Sequence, residues 1–96
     1  MQTWGGGSKI LDLPMGDKKT PAQAFGEVLR ELRLERGLTQ DQLAELANTE
    51  RSHISAIERA EKGPTLATIL SLAHALGITA GELITNVERH LGIRRR

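Results

Sequence analysis

Between Thr49 and Glu58 the chain reads TERSHISAIE, in which Arg51, Ser52 and Ser55 make a polar flank beside the apolar Ile54, Ala56 and Ile57. A guanidinium donates several hydrogen bonds in a fixed fork, and serine hydroxyls both donate and accept. Such a set suits recognition by hydrogen bonding rather than bond breaking. Ser, His and Asp occur elsewhere, but in no pattern resembling a nucleophile elbow, a phosphate loop or a cofactor fingerprint. His53, His74 and His90 are too far apart in sequence for an HxxxH metal pair and are expected to be ordinary surface or boundary residues. No enzymatic activity, cofactor or metal is expected.

Recognition of this kind needs its donors held still, and this stretch cannot hold itself. Leu43, Ala44, Leu46 and Ala47, then Ile54, Ala56 and Ile57, mark two short amphipathic helices separated by about three residues. Helices of roughly ten residues are marginal alone in water, so neighbours must brace them. The first brace is a helix over 21–36, with Phe25, Val28, Leu29 and Leu32 on one face, Pro21 near its start and Gly37 at its end. Thr39 with Gln42 makes a capping box for helix two, which Asn48 ends in the left-handed conformation. Helix three runs from about Arg51 to Arg59, capped by Thr49 or else by Glu50. After Gly63 and Pro64, Thr65 caps helix four, with Leu66, Ile69, Leu70, Ala73 and Leu76 as one stripe ending at Gly77. Thr79 with Glu82 opens helix five, which carries Leu83, Ile84, Val87 and Leu91. The fold class is therefore all-α, a compact five-helix domain over 21–91. Residues 1–20, with three consecutive glycines, read as a flexible tail, and residues 92–96 as a solvated basic tail.

With 96 residues the chain makes one domain at most, and with one Trp, one Phe and no Tyr its core must be aliphatic. Zero cysteines exclude disulfides and fit a reducing compartment. No run reaches the roughly 18 apolar residues of a membrane span, so a cytoplasmic protein without a membrane partner is expected. Residues 21–81 carry six Arg/Lys against eight Asp/Glu, a net of −2. Affinity for a polyanion must then come from local placement of cations, not from bulk charge.

Two short helices joined by a tight turn, the second presenting polar residues from its first turns, are the layout of a helix-turn-helix. LRELRLERGLTQDQLA, the turn at Asn48, RSHISAIE and GPTLATILSLAHALGI together make residues 25–84 closely resemble the phage repressor and Cro-type (XRE-like) helix-turn-helix regulators. The resemblance implies a lambda-repressor-like five-helix domain with the helix-turn-helix at helices two and three. It also implies a sequence-specific transcriptional regulator, a repressor or operon controller, acting on a double-stranded DNA operator. It matches Gln40 to a residue that reaches a phosphate and Glu50, Arg51, Ser52 and Ser55 to groove-facing positions. Arg59 and Lys62 would touch the backbone. Arg51 suits direct readout, since its fork can bond guanine O6 and N7 together. Arg33 and Glu58 match a buried ion pair tying helix one to helix three.

The chain departs from the family pattern at three places. Asn48 and Ala60 stand where glycine is usual, leaving either a left-handed Ala60 or a helix three one turn longer with Gly63 as the break. Glu50 is an acid where Ser or Thr is common, suited to a cytosine amine and not to phosphate. Past the four-helix core, Leu83, Ile84, Val87 and Leu91 are expected to form a homodimer contact, unless helix five folds back on its own domain. The alternative from another class is a protein-interaction module or antitoxin acting mainly on a toxin or other protein partner.

Overall fold

Every helix but one among the described residues begins where a threonine supplies an oxygen to cap it. The computed structural model describes residues 19–93, with α1 over Pro21–Glu35, α2 over Gln40–Leu46, α3 over Arg51–Glu58, α4 over Leu66–Leu76 and α5 over Ala80–Leu91. The hydroxyls of Thr20, Thr39, Thr65 and Thr79 accept from the backbone N–H groups of Gln23, Gln42, Thr68 and Glu82 at 3.1, 3.0, 3.1 and 3.0 Å. At Thr20, Thr39 and Thr79 the third helical residue bonds back to the cap, completing the reciprocal box. The exception is α3. Its N-cap is Glu50, not the expected Thr49, and the Glu50 side chain makes no capping bond. Thr49 is already committed to α2: its N–H closes that helix on the Ala44 carbonyl at 2.8 Å, and its hydroxyl lies 2.9 Å from His53 Nδ1.

The five helices of the described residues end in the same way, on a left-handed residue whose N–H and whose successor's N–H turn back onto the last helical carbonyls. Three of these residues are Gly37, Gly77 and Gly92; the other two, Asn48 (φ 56°) and Ala60 (φ 62°), bracket α3. Asparagine tolerates this conformation, whereas alanine's Cβ crowds its own carbonyl. Glu61 N–H reaches the Ala56 carbonyl at 2.8 Å only because Ala60 turns left-handed, so α3 stops at Glu58 and Gly63 is not the break. Ala60→Gly should therefore raise stability, by about 0.5–1 kcal/mol after the greater chain entropy of glycine is offset. A rise of a few degrees in Tm checks it.

The core is built around α1, which packs between α3 and α5. Ala24, Phe25, Val28 and Leu29 meet Leu43 and Ala44 from α2, Ile54 and Ile57 from α3, Leu72, Ala73 and Leu76 from α4, and Leu83, Val87 and Leu91 from α5. Two expectations change here. On α4 the stripe is rotated, for Leu72, Ala73 and Leu76 are buried while Leu66 and Leu70 stand 71% and 54% exposed. Apolar residues surround most of that helix, so periodicity alone could not choose its inner face. α5, meeting α4 at 102°, folds back onto α1, and Leu83, Val87 and Leu91 enter the chain's own core. Contrary to the expected dimer contact, those three side chains are covered within the protomer, and of that stripe Ile84 alone is half-exposed.

α1 also carries the ties between elements. Gly26 lies against the end of α3, where an added Cβ would sit 2.5 Å from the Ile57 carbonyl oxygen and 2.7 Å from that of Glu58. Arg36 Nε donates to the Leu76 carbonyl at 2.6 Å, closing the end of α4. His90 places Nδ1 3.4 Å from Glu27 and Nε2 3.2 Å from Glu31. The hydrogen bond from Lys19 Nζ, at 2.7 Å, together with its charge and His90, holds the Glu27 carboxyl below the usual range despite partial desolvation.

Candidate nucleic-acid interface

Ile54 and Ile57, both fully buried, fix α3 on one side, and the close approach at Gly26 fixes its end. Arg51, Ser55 and Arg59 recur at four-residue spacing on the other side: both arginines are exposed and Ser55 is half-buried. A groove on each flank completes the surface. Thr39, Gln40, Asp41 and Arg51 line one, and Glu50, Ser52, His53, Glu61 and Lys62 line the other. The seven positions singled out in the sequence thus lie along one short helix and its two flanks.

Their freedom differs. Arg51, Ser52, Glu50 and Lys62 are exposed, and none has a side-chain hydrogen bond within the described residues. Arg59 donates to Glu61 at 3.1 Å and to the Ser55 carbonyl at 3.3 Å; with 61% and 57% of the side chains exposed, that ion pair is weak and exchangeable for another anion. Gln40 is half-buried, its amide donating to Glu58 Oε1 at 3.0 Å.

Glu58 sits at the centre of a network. Arg33 donates to both of its oxygens, Nε to Oε2 at 2.7 Å and Nη2 to Oε1 at 3.1 Å, with side chains only 9% and 4% exposed. Arg33 Nη1 donates to the Leu38 carbonyl at 2.8 Å, so one guanidinium ties α1, the loop before α2 and the end of α3. No buried side-chain polar atom among the described residues lacks a partner, which is the condition under which such a network rigidifies its surroundings.

Sequence reasoning missed several features besides the Gln40–Glu58 bond. The Thr20–Gln23 box was legible as a Thr-x-x-Gln pattern before the first apolar face, and the segment read as tail ends in it. Gly26 gave no signal, since a glycine on a helix shows its purpose only when the opposing backbone is known. The Thr49–His53 bond likewise depends on the turn closing first. Residues 1–18 and Arg94–Arg96, read as a flexible tail and a basic tail, lie outside the described residues. No group of three His, Cys, Asp or Glu among the described residues is placed to hold a metal ion, and no single helix there is long and apolar enough to cross a membrane.

Comparisons with known proteins bear on the family and the fold. The helix-turn-helix family profile matches residues 29–83, more than half of the chain. The immunity repressor protein of Bacillus phage phi105 is 44% identical over 59 residues, 62% of this chain and 41% of that protein. Control protein C.SmaI of Serratia marcescens is 36% identical over 63 residues, 66% of this chain and 75% of that protein. Among solved structures, the restriction-modification controller protein C.AhdI of Aeromonas hydrophila superposes with a TM-score of 0.63 at 44% identity, over 65% of this chain and 94% of that one. The chain thus spans less than half of the phage repressor and most of the two controllers. Matched by profile, by relatives and by fold, it belongs to the phage repressor and Cro-type helix-turn-helix family of transcription regulators.

Proposed function

We propose that the chain recognises a specific double-stranded DNA operator as a homodimer, each protomer seating α3 in the major groove, and so represses or controls an operon. The observation that carries this reading is the polar face of exposed Arg51, half-buried Ser55 and, at the helix end, exposed Arg59, on a helix clamped by Ile54, Ile57 and the Arg33–Glu58 pair. A reader helix must not pivot, because each base contact depends on placement to a fraction of an ångström. Arg51 reads guanine, Ser52 and Ser55 bond bases or phosphate, and Glu50 accepts from a cytosine amine. Gln40, Arg59 and Lys62 set register on the backbone.

A two-fold contact for the dimer is supported by α4. LATILSLAHAL contains no Asp, Glu, Lys or Arg and exposes Leu66 and Leu70. A face packed against its own copy meets like with like, so an uncharged apolar one suits the role. Half-sites would then lie about one helical turn apart. The net −2 over residues 21–81 favours a second reading, a module that binds a protein partner such as a toxin.

Fluorescence anisotropy against a duplex enriched from a random-sequence pool, at several salt concentrations, separates the two. Arg51→Ala should weaken binding by about 1–3 kcal/mol with little change in salt slope, since it removes base readout and not a phosphate contact. Binding that is weak, steeply salt-dependent and indifferent to Arg51→Ala would favour the protein-binding module.

A further inference from the structure

Glu58 holds a third donor besides the two from Arg33: Gln40 Nε2 reaches its Oε1 at 3.0 Å. An ionised carboxylate only accepts hydrogen bonds, so the Gln40 amide can face it through its nitrogen alone. The amide is planar, which leaves its second N–H at a fixed angle away from Glu58. Gln40 also lines the groove it shares with Arg51. We propose that Glu58 is a positioning residue for DNA recognition: it fixes the Gln40 amide as an N–H donor to an anionic phosphate oxygen beside the bases that Arg51 reads. This rests on the DNA reading above and deepens it. Arg33 holds Glu58 in turn, so the pair that fastens α3 to α1 also orients a side chain on α2. Without Glu58 the amide would rotate freely, would present oxygen as readily as nitrogen, and would lose that freedom on binding.

The wild-type protein supplies the first test through the side-chain amide resonances of its glutamines. Gln42 is an internal control, because its oxygen accepts from Thr39 N–H and its nitrogen is not held by a carboxylate. One Gln40 amide hydrogen should be displaced in shift and protected from solvent exchange without DNA, and the other should move when the enriched duplex is added. A Gln40 pair that exchanges and shifts as Gln42 does overturns the positioning, whether or not DNA binds. The second test is a cycle of dissociation constants for wild type, Gln40→Ala, Arg33→Met/Glu58→Leu and the triple variant. Gln40→Ala should weaken binding about tenfold, the double variant comparably, and the triple no further. An equal effect of Gln40→Ala in both backgrounds overturns the positioning and leaves the DNA reading standing. Failure of the wild type to bind any enriched duplex counts against the DNA reading, while the amide measurement still decides the positioning.

Discussion

Gly26→Ala should destabilise this domain by about 2–4 kcal/mol, against the direction that helix propensity gives. Replacing a mid-helix glycine by alanine ordinarily gains about 1 kcal/mol through lost chain entropy. At Gly26, however, the new methyl would meet the carbonyl oxygens of Ile57 and Glu58 at 2.5 and 2.7 Å. These are backbone atoms at the end of a helix, and neither can rotate aside as a side chain would. α1 and α3 must therefore part, loosening Ile57 and the Arg33–Glu58 pair, which lie at the same contact. For a domain whose whole stability is of the order of 5–15 kcal/mol, that is a large fraction. Urea unfolding measures it directly, and a variant as stable as wild type would mean that the helices do not approach as described. Because the displaced element is α3, DNA affinity should fall in the same variant even where it remains folded.

Arg33→Met should cost still more, about 3–5 kcal/mol. It leaves Glu58, with 4% of its side chain exposed, holding a charge answered only by Gln40, and it removes the donor to the Leu38 carbonyl. The loss measures a stranded charge and not the net value of the pair, and a double substitution separates the two. Arg33→Met/Glu58→Leu replaces both partners by apolar groups and should recover most of the stability, since a buried ion pair seldom outperforms well-packed hydrophobic residues. Arg33→Met within about 0.5 kcal/mol of wild type would show that Glu58 is solvated and that the network does not brace α3. The double variant also removes the hold on Gln40, so recovered stability and unrecovered DNA affinity are expected together.

Much of this architecture could be read from the chain because its signals are local. Threonine followed three residues later by Gln or Glu announces two helix starts by the same reciprocal bond, and Gly37 and Gly77 announce two ends. What escaped depended on a second element. Leu66 and Leu70 were indistinguishable from core residues on a helix apolar nearly all round, and only the side facing α2 and α5 is buried. Leu83, Val87 and Leu91 formed a clear stripe, but a stripe states that something covers it and not what; here α1 does. Ala60 was open between two backbone paths, because a residue that fits a left-handed position poorly can still be held there by the two hydrogen bonds that close α3. Around the candidate interface the types and spacings of Arg51, Ser52 and Ser55 were visible, whereas the anchoring of Gln40 to Glu58 needed the third dimension.

Guanine N7 protection from methylation by dimethyl sulfate reports whether α3 reads bases in the major groove as proposed, since N7 lies on that groove's edge. On an enriched duplex the wild-type protein should protect guanines in two half-sites about one helical turn apart, and Arg51→Ala should lose a guanine from each while the remaining protection persists. Tight binding with no guanine N7 protected, or a pattern that Arg51→Ala leaves unchanged, would contradict readout by α3.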